Sequence, residues 1–460
     1  MLRQWQAECI TNALEKYESG STHFFCQATP GAGKTIMAAT LGKTLLEKGL
    51  IDLILCFSPS VSVADSMQST FSRIIECPFN GSMGAIGQSL TYQSIQFLGD
   101  SFWRTIRKFR LFVVFDEIHH CSGEEHDKAN VWGQQILTRI QGIATYTLAL
   151  SGTPWRSDKC PIVMAEYTDP DGKLCCNYQY GLAQAISNNV CRKPKIVLVD
   201  NENLTISEGA EKKSFASILE LLKQSKASYQ DVIHNHQAME YILGLGCRKL
   251  AEIREHSHNA GGLVVASSVK HATQVYKILT EKFGQSAIVV TYHNDNPLSE
   301  IESYRHSRCQ WIVSVGMVSE GTDIPRLQVC CHISAVKTEL YFRQVLGRIL
   351  RVNDSASQDA WLFTFAECSL IEYAERIEQD IPDTCSFVKL RRDNTDNYPD
   401  EAFYSNTTQE EKSLELEKEC SHLEWGDYSN VLSTDNCSDY TYDELFLGRF
   451  RERVISAFTY

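Results

Sequence analysis

The chain has 460 residues, of which 43% are hydrophobic and 22% charged; that is a globular composition too long for one core, so two or three domains are expected. No apolar run approaches the roughly 18 residues that span a bilayer, and the opening MLRQWQAECI has no apolar signal-peptide core, which together point to a cytoplasmic protein with no membrane partner. The net charge of −13 speaks against a uniformly basic nucleic-acid binder, but from Asp393 onward there are about 16 acidic and about 5 basic residues, so the upstream chain is close to neutral and can carry a basic groove.

The 17 cysteines would be hazardous in an oxidising compartment. Many, such as Cys26, Cys56, Cys121 and Cys309, sit in apolar runs and read as reduced, buried thiols. There is no CxxC pair, so neither zinc nor an iron–sulfur cluster has support.

In chain order, the β-rich runs THFFCQAT, IDLILCFS, LFVVFDE and TYTLALSG alternate with helix-like stretches such as GKTIMAATLGKTLLEKG. This alternation predicts a parallel sheet covered by helices over residues 1–200. A polar stretch beginning NENLTISEGAEKKS predicts a linker over 201–230. The helical pattern of HQAMEYILGLGCRKLAEIREH then leads into GGLVVASS, SAIVVTYH, CQWIVSVG, LQVCCHIS and AWLFTFAE, a second α/β domain over 231–385. Residues 386–460 read as an acidic C-terminal extension.

ATPGAGKT, Ala28–Thr35, follows the first strand and opens a helix, fitting the phosphate-binding pattern with Ala28 in place of the usual first glycine. Such a loop wraps phosphate oxygens with backbone N–H groups. Pro30, Gly31, Ala32 and Gly33 form its turn, the glycines supplying permissive backbone, and the next helix points its positive end at the anion. Lys34 would reach the β- and γ-phosphates and the Thr35 hydroxyl would bind Mg2+. LFVVFDEIHH, Leu111–His120, delivers Asp116 and Glu117 at the carboxyl end of an apolar strand. Asp116 can hold Mg2+ through water, and Glu117 can orient or deprotonate the attacking water. Together these elements predict ATP hydrolysis.

FRQVLGRILR, Phe342–Arg351, divides at helical spacing into an apolar stripe of Phe342, Val345, Leu346 and Ile349 and an opposite face of Gln344, Gly347, Arg348 and Arg351. A solvated face is the plain reading of the second group.

With its DEIH box, Asp116–His119, the chain resembles the superfamily 2 DExH-box DNA helicases and translocases. LRQWQ stands where the family has the glutamine that selects adenine, here Gln6. FSPSVSVADSMQ and TYQS stand at the strand-contacting motifs. LSGTPWRSD matches the Ser-x-Thr motif, and GGLVVASS, VGMVSEGTDIPRL and FRQVLGRILR match those of the second domain. TPWRSD, EGTDIP and TELYFRQVLGRILR are closest to the XPB-like and type I/III restriction-motor-like group. The resemblance runs from Leu2 to Pro382.

It implies two tandem RecA-like domains with ATP between them, hydrolysed with Mg2+. Gly321 and Asp323 would line the nucleotide cleft, and Gln344, Arg348 and Arg351 would act on the γ-phosphate. His119, Ser151 and Thr153 would couple ATP state to the nucleic-acid groove, although His119 also reads as a plain core histidine. Ser58, Thr91, Gln93, Ser267 and Ser268 would contact DNA backbone independently of sequence, with strand-end capping as their plain alternative. Trp155 and Arg156 would stack on a base or serve as a core Trp with a surface Arg.

Pro399–Asp400 with Glu410, Glu411 and Lys412 matches a PD…ExK nuclease pattern, but in a polar, helix-like context that favours an exposed acidic helix. DNYPDEAFY and CSDYTYDELF interleave acid with aromatic residues, suited to a protein partner or to mimicry of DNA, or else to a solvated extension. Two functions are therefore carried forward. One is an ATP-dependent DNA helicase or translocase, a motor of a bacterial defence, restriction or repair system. The other is a nucleic-acid-triggered ATPase switch that signals to a partner protein.

Overall fold

A computed structural model describes residues 2–122, 130–153, 156, 160–168, 172–208, 211–291, 293–294, 296–316, 324–353, 358–378 and 444–457. Among these residues the chain forms two compact units that meet in sequence at residue 188.

The first unit runs α1 (Gln4–Glu18), β1 (His23–Ala28), α2 (Lys34–Glu47), β2 (Leu53–Ser58), α3 (Val61–Ile75), β3 (Gly87–Thr91), α4 (Asp100–Ile106), β4 (Leu111–Asp116), α5 (Val131–Arg139), β5 (Tyr146–Ser151), β6 (Tyr178–Tyr180) and α6 (Leu182–Ser187). Its strands form one parallel sheet in the order β3-β2-β4-β5-β1-β6. Helices cover both faces of such a sheet, so its central strands read as continuous apolar runs; all six residues of β4 are buried. Because every strand points the same way, the ends of β1, β2, β3, β4 and β5 deliver their loops to one edge. α1 buries Trp5, Gln6, Cys9, Ile10, Ala13 and Tyr17 along one face. Trp5 stacks on Tyr180, with ring centroids 4.9 Å apart, and so fixes this helix beside the β1–α2 loop.

The second unit runs β7 (Lys193–Asn201), β8 (Leu204–Glu208), β9 (Glu211–Phe215), α7 (Ile218–Gln224), α8 (Tyr229–His234), α9 (His236–His256), β10 (Gly261–Ala266), α10 (Val269–Lys277), β11 (Ala287–Val290), α11 (Pro297–His306), β12 (Trp311–Ser314), β13 (Leu327–Ile333), α12 (Glu339–Ile349), β14 (Asp359–Phe365), α13 (Cys368–Glu378), β15 (Glu444–Leu447) and β16 (Phe450–Ser456). Its main sheet has the order β11-β12-β10-β13-β14-β7-β16 and is parallel except for β16, which runs antiparallel to β7 from Phe450↔Asn201 to Ser456↔Lys195. A small antiparallel sheet, β15-β8-β9, stands beside it. Both units are RecA-like α/β domains, the class expected from the sequence.

The boundaries lie elsewhere than expected. β7 falls inside the span assigned to the first domain, yet it pairs with β14 over seven positions from Lys193↔Asp359 to Val199↔Phe365. The predicted linker, 201–230, holds β8, β9 and α7. Leu204, Ile206 and Phe215 are buried there, and the polar residues between them face outward, so alternation on an antiparallel hairpin looks like a polar run. The acidic extension returns at β15 and β16 to the second unit, which places Glu444–Phe446 of CSDYTYDELF in a strand. The nuclease-like residues, DNYPDEAFY and Trp155 lie outside the described residues, as do Gly321 and Asp323.

Candidate nucleotide site

The loop between β1 and α2 is held from behind by α1. The Gln6 amide Nε2 donates to the Gly33 carbonyl at 3.0 Å, and its Oε1 accepts the Arg3 N–H at 2.8 Å. The Arg3 guanidinium Nη1 donates to the Ala32 carbonyl at 2.6 Å. Gly31 and Gly33 take left-handed backbone, with φ of 81° and 91°. At Gly33 a Cβ would stand 2.8 Å from Gln6 Nε2, so both φ and space demand glycine. Ala32 is fully buried. Pro30, Lys34 and Thr35 are half-buried, and Thr35 lies in the first turn of α2.

α2 starts at Gly33 with no side-chain cap and no acidic residue in its first turn. The first N–H groups of a helix have no intrahelical partner, so this end presents donors and a positive dipole to an anion. Lys34 Nζ donates to Glu117 Oε1 at 2.9 Å and to the Ala28 carbonyl at 3.3 Å. The ammonium is thus placed beside the loop by the carboxylate of another strand end.

That carboxylate is the centre of a network. Glu117 has left-handed backbone (φ 49°), uncommon for a residue with a side chain. Its Oε2 accepts from the Gly152 N–H at 3.3 Å and lies 3.5 Å from Ser151 Oγ and 3.4 Å from His119 Nδ1. His119 Nδ1 and Ser151 Oγ are 2.9 Å apart, and the Thr153 N–H donates to Ser151 Oγ at 3.1 Å. Burial pushes the Glu117 carboxyl up, but the Lys34 ammonium and the Lys34 and Gly152 hydrogen bonds outweigh it and hold it well below the usual range. Burial, with His120 beside it, keeps His119 neutral.

Asp116 has the opposite balance. Burial and the Glu117 charge push its carboxyl up to about 7. Its Oδ1 is buried with no hydrogen-bond partner, while the Tyr92 hydroxyl donates to its backbone carbonyl at 2.8 Å. An orphaned carboxylate oxygen beside an uncapped helix start and a lysine fits a divalent cation with phosphate. Asp116 and Thr35 would hold the ion, and Lys34 with the loop N–H groups would hold the phosphates.

The other expected residues form separate groups. Ser58 and Thr91 are paired partners at the ends of β2 and β3; Ser58 Oγ contacts the Leu90 carbonyl at 3.4 Å, Thr91 Oγ1 contacts Ser94 Oγ at 2.8 Å, and Gln93 is half-buried next to them. In the second unit Ser268 caps α10, accepting the His271 N–H at 3.1 Å. Ser267 Oγ lies between His234 Nε2 at 2.8 Å and His271 Nδ1 at 2.9 Å. Gln344, Arg348 and Arg351 are half-buried on or just past α12. Gly347, expected on their face, is buried with Phe342, Val345, Leu346 and Ile349.

Two domain families and several known proteins match this chain. Residues 1–156 match the type III restriction enzyme res subunit, and residues 246–353 match the helicase conserved C-terminal domain. An uncharacterised protein of Mycobacterium tuberculosis is 27% identical over 397 residues, covering 82% of this chain and 63% of the relative. The DNA 3'-5' translocase XPB2 of Sulfurisphaera tokodaii is 22% identical over 374 residues, 77% of this chain and 79% of that protein. In fold, the ATP-dependent type ISP restriction-modification enzyme LlaBIII bound to DNA aligns with a TM-score of 0.53 at 13% identity, over 84% of this chain and 31% of that one. Residues 1–156 are thus similar to a restriction-enzyme motor domain and residues 246–353 to the second domain of helicases, the pairing found in superfamily 2.

The chain spans less than two thirds of the mycobacterial relative's length. Arg3, Tyr92 and Arg156 are the site residues that the motif reading passed over or left undecided. Arg156 Nη1 donates to the His119 carbonyl at 2.7 Å, a backbone brace. Arg3 stands one turn before Gln6, a spacing that could have revealed it. Tyr92 gives no such sign, because its contact crosses from the end of β3 to the end of β4.

Proposed function

We propose that this superfamily 2 protein is an ATP-dependent DNA helicase or translocase, the motor subunit of a bacterial defence, restriction or repair system. The observation that carries the reading is the meeting of Lys34 and Glu117 at 2.9 Å beside the unpartnered Asp116 Oδ1. Lys34 changes partner from Glu117 to phosphate when ATP binds. Glu117 is then released as a charged carboxylate able to take the proton of an attacking water. Mg2+ held by Asp116 and Thr35 would neutralise phosphate charge. Ser151 Oγ, between His119 and Glu117, reports that release toward Thr153. Arg348 and Arg351, with Gln344, act in turnover by stabilising transition-state charge. The DNA assignment is supported by the similarity to the DNA 3'-5' translocase XPB2 and by the DNA-bound state of LlaBIII. Ser58, Thr91, Gln93, Ser267 and Ser268 are proposed to contact its backbone.

ATP turnover measured with single-stranded DNA, duplex DNA, forks and RNA, with unwinding followed in the same samples, tests this. DNA stimulation with strand separation or duplex movement is expected. Stimulation by RNA alone would reject the DNA assignment, and stimulation without movement would favour the signalling switch.

A further inference from the structure

Among the described residues, Arg192 is the largest charged side chain with no exposed surface. Its guanidinium Nη1 donates to the carbonyls of Leu327 at 2.9 Å, Ile349 at 3.2 Å and Pro325 at 3.3 Å. Nη2 donates to Pro325 at 3.3 Å and to Asn353 Oδ1 at 2.5 Å. Its backbone N–H donates to the Leu350 carbonyl at 2.7 Å. Burial lowers its pKa to about 10, so it stays charged at neutral pH.

A cation at the end of α12 satisfies carbonyls that lack intrahelical partners and complements the helix dipole. Capping alone needs one contact from a solvated side chain. Here a costly buried charge gathers three separate segments: the start of β7, Pro325–Leu327 and the end of α12. The flanking backbone matters as much. Arg351 lies just beyond the last helical residue of α12, where no helical bond fixes its direction, and it forms an antiparallel bridge with Cys191. Residues 191 and 192 therefore hold the chain on either side of the step from Leu350 to Arg351.

We infer that Arg192 is a positioning residue for nucleotide turnover, fixing the direction of Arg351 by locking the end of α12 to Pro325–Leu327 and to the start of β7. The inference rests on the proposed role of Arg351 in turnover. Position 192 also follows closely on the passage of the chain from the first unit at residue 188. The peptide that joins the units is thereby anchored to the arginine motif. Lysine at 192 keeps the charge but presents one compact ammonium, which cannot bridge Leu327, Ile349 and Asn353 together.

The test uses the full chain and compares R192K, N353A, R351A and the double variant R192K/R351A. Melting temperature, nucleotide Kd and DNA-stimulated kcat are measured for each. R192K is expected to lose about tenfold or more in kcat with less than about threefold change in nucleotide Kd. N353A, which frees one arm of Arg192, is expected to lose about threefold in kcat. The double variant should be no slower than R351A alone, because both changes act through one group. A purely structural role would instead multiply the two losses, which overturns the inference. So would a folded R192K with wild-type kcat. If R192K does not fold, wild-type kcat in N353A overturns it. An R351A variant with full turnover overturns the underlying reading and the inference with it, whereas an inactive R351A beside a fully active R192K overturns the inference alone.

Discussion

Asp116 and Glu117 are adjacent in the chain, but burial prevails at the first carboxyl, whereas at the second Lys34 and the hydrogen bonds together outweigh it. Between the ordinary value of 3.8 and about 7, the folded state keeps a proton on Asp116 that the unfolded chain has released. Stability of the nucleotide-free protein should therefore fall as pH rises across that window. Asp116→Asn should remove this slope in thermal denaturation, and an unchanged slope would refute the assignment. Glu117 has the opposite sign, its contribution present above 4.5 and lost as pH falls toward about 2. If Asp116 holds Mg2+ as proposed, metal would compete with its proton, so at limiting Mg2+ turnover should rise through about pH 7, and saturating Mg2+ should move that rise to lower pH. Lys34→Ala removes the partner of Glu117 and, in the proposed function, the ligand of the phosphates. A loss of about 10²–10³ in kcat is expected, the range for deleting one charge-stabilising donor. Arg348→Ala should lose roughly 10³–10⁵ in kcat while nucleotide binding, followed by fluorescence, persists.

At the scale of elements, the β1–α2 turn depends on a helix that precedes it. Gly33→Ala would place a left-handed backbone under about 1–2 kcal/mol of strain and drive a Cβ against Gln6. Weakened ATP binding with a modest fall in melting temperature is expected, and unimpaired binding in a titration would count against the close packing of α1 on the loop. The loop and the DEIH strand were legible because their chemistry depends on residues adjacent in sequence. The network around Glu117 was legible only in its members. Nothing in the spacing reveals that Ser151 Oγ stands between His119 and Glu117, because β4 and β5 become neighbours through sheet order. Gly347 shows a limit of helical wheels: it falls on the arginine side by angle, yet it is buried because Gln344 and Arg348 beside it are themselves half-covered. The β8–β9 hairpin was hidden for a related reason, since its few buried positions are spaced among charged residues that face outward.

For the whole molecule, two parallel-sheet domains follow from the alternation of apolar runs with helical stretches. Their boundary did not, because β7 comes before the polar stretch and finds its partners β14 and β16 far along the chain. Long-range pairing leaves no local mark. β16 covers the outer side of β7, and its exposed positions carry Arg451 and Arg453, ion-paired with Asp200 at 2.6 Å and Glu375 at 2.9 Å. A chain ending at residue 443 should leave β7 as an open edge and aggregate on heating. Arg451→Ala should cost no more than about 1 kcal/mol, as expected of an exposed pair, and light scattering during a melt separates the two cases. The pair between Arg453 and Glu375 has a topological consequence as well. It joins β16 to α13, so the described segments on either side of residues 379–443 are secured to each other within the second unit. The entropy of joining two fixed points by a flexible connection grows only logarithmically with its length, each doubling costing about 0.6 kcal/mol. Evolution can therefore lengthen, shorten or replace the intervening acidic stretch at little thermodynamic cost to the domain that carries it.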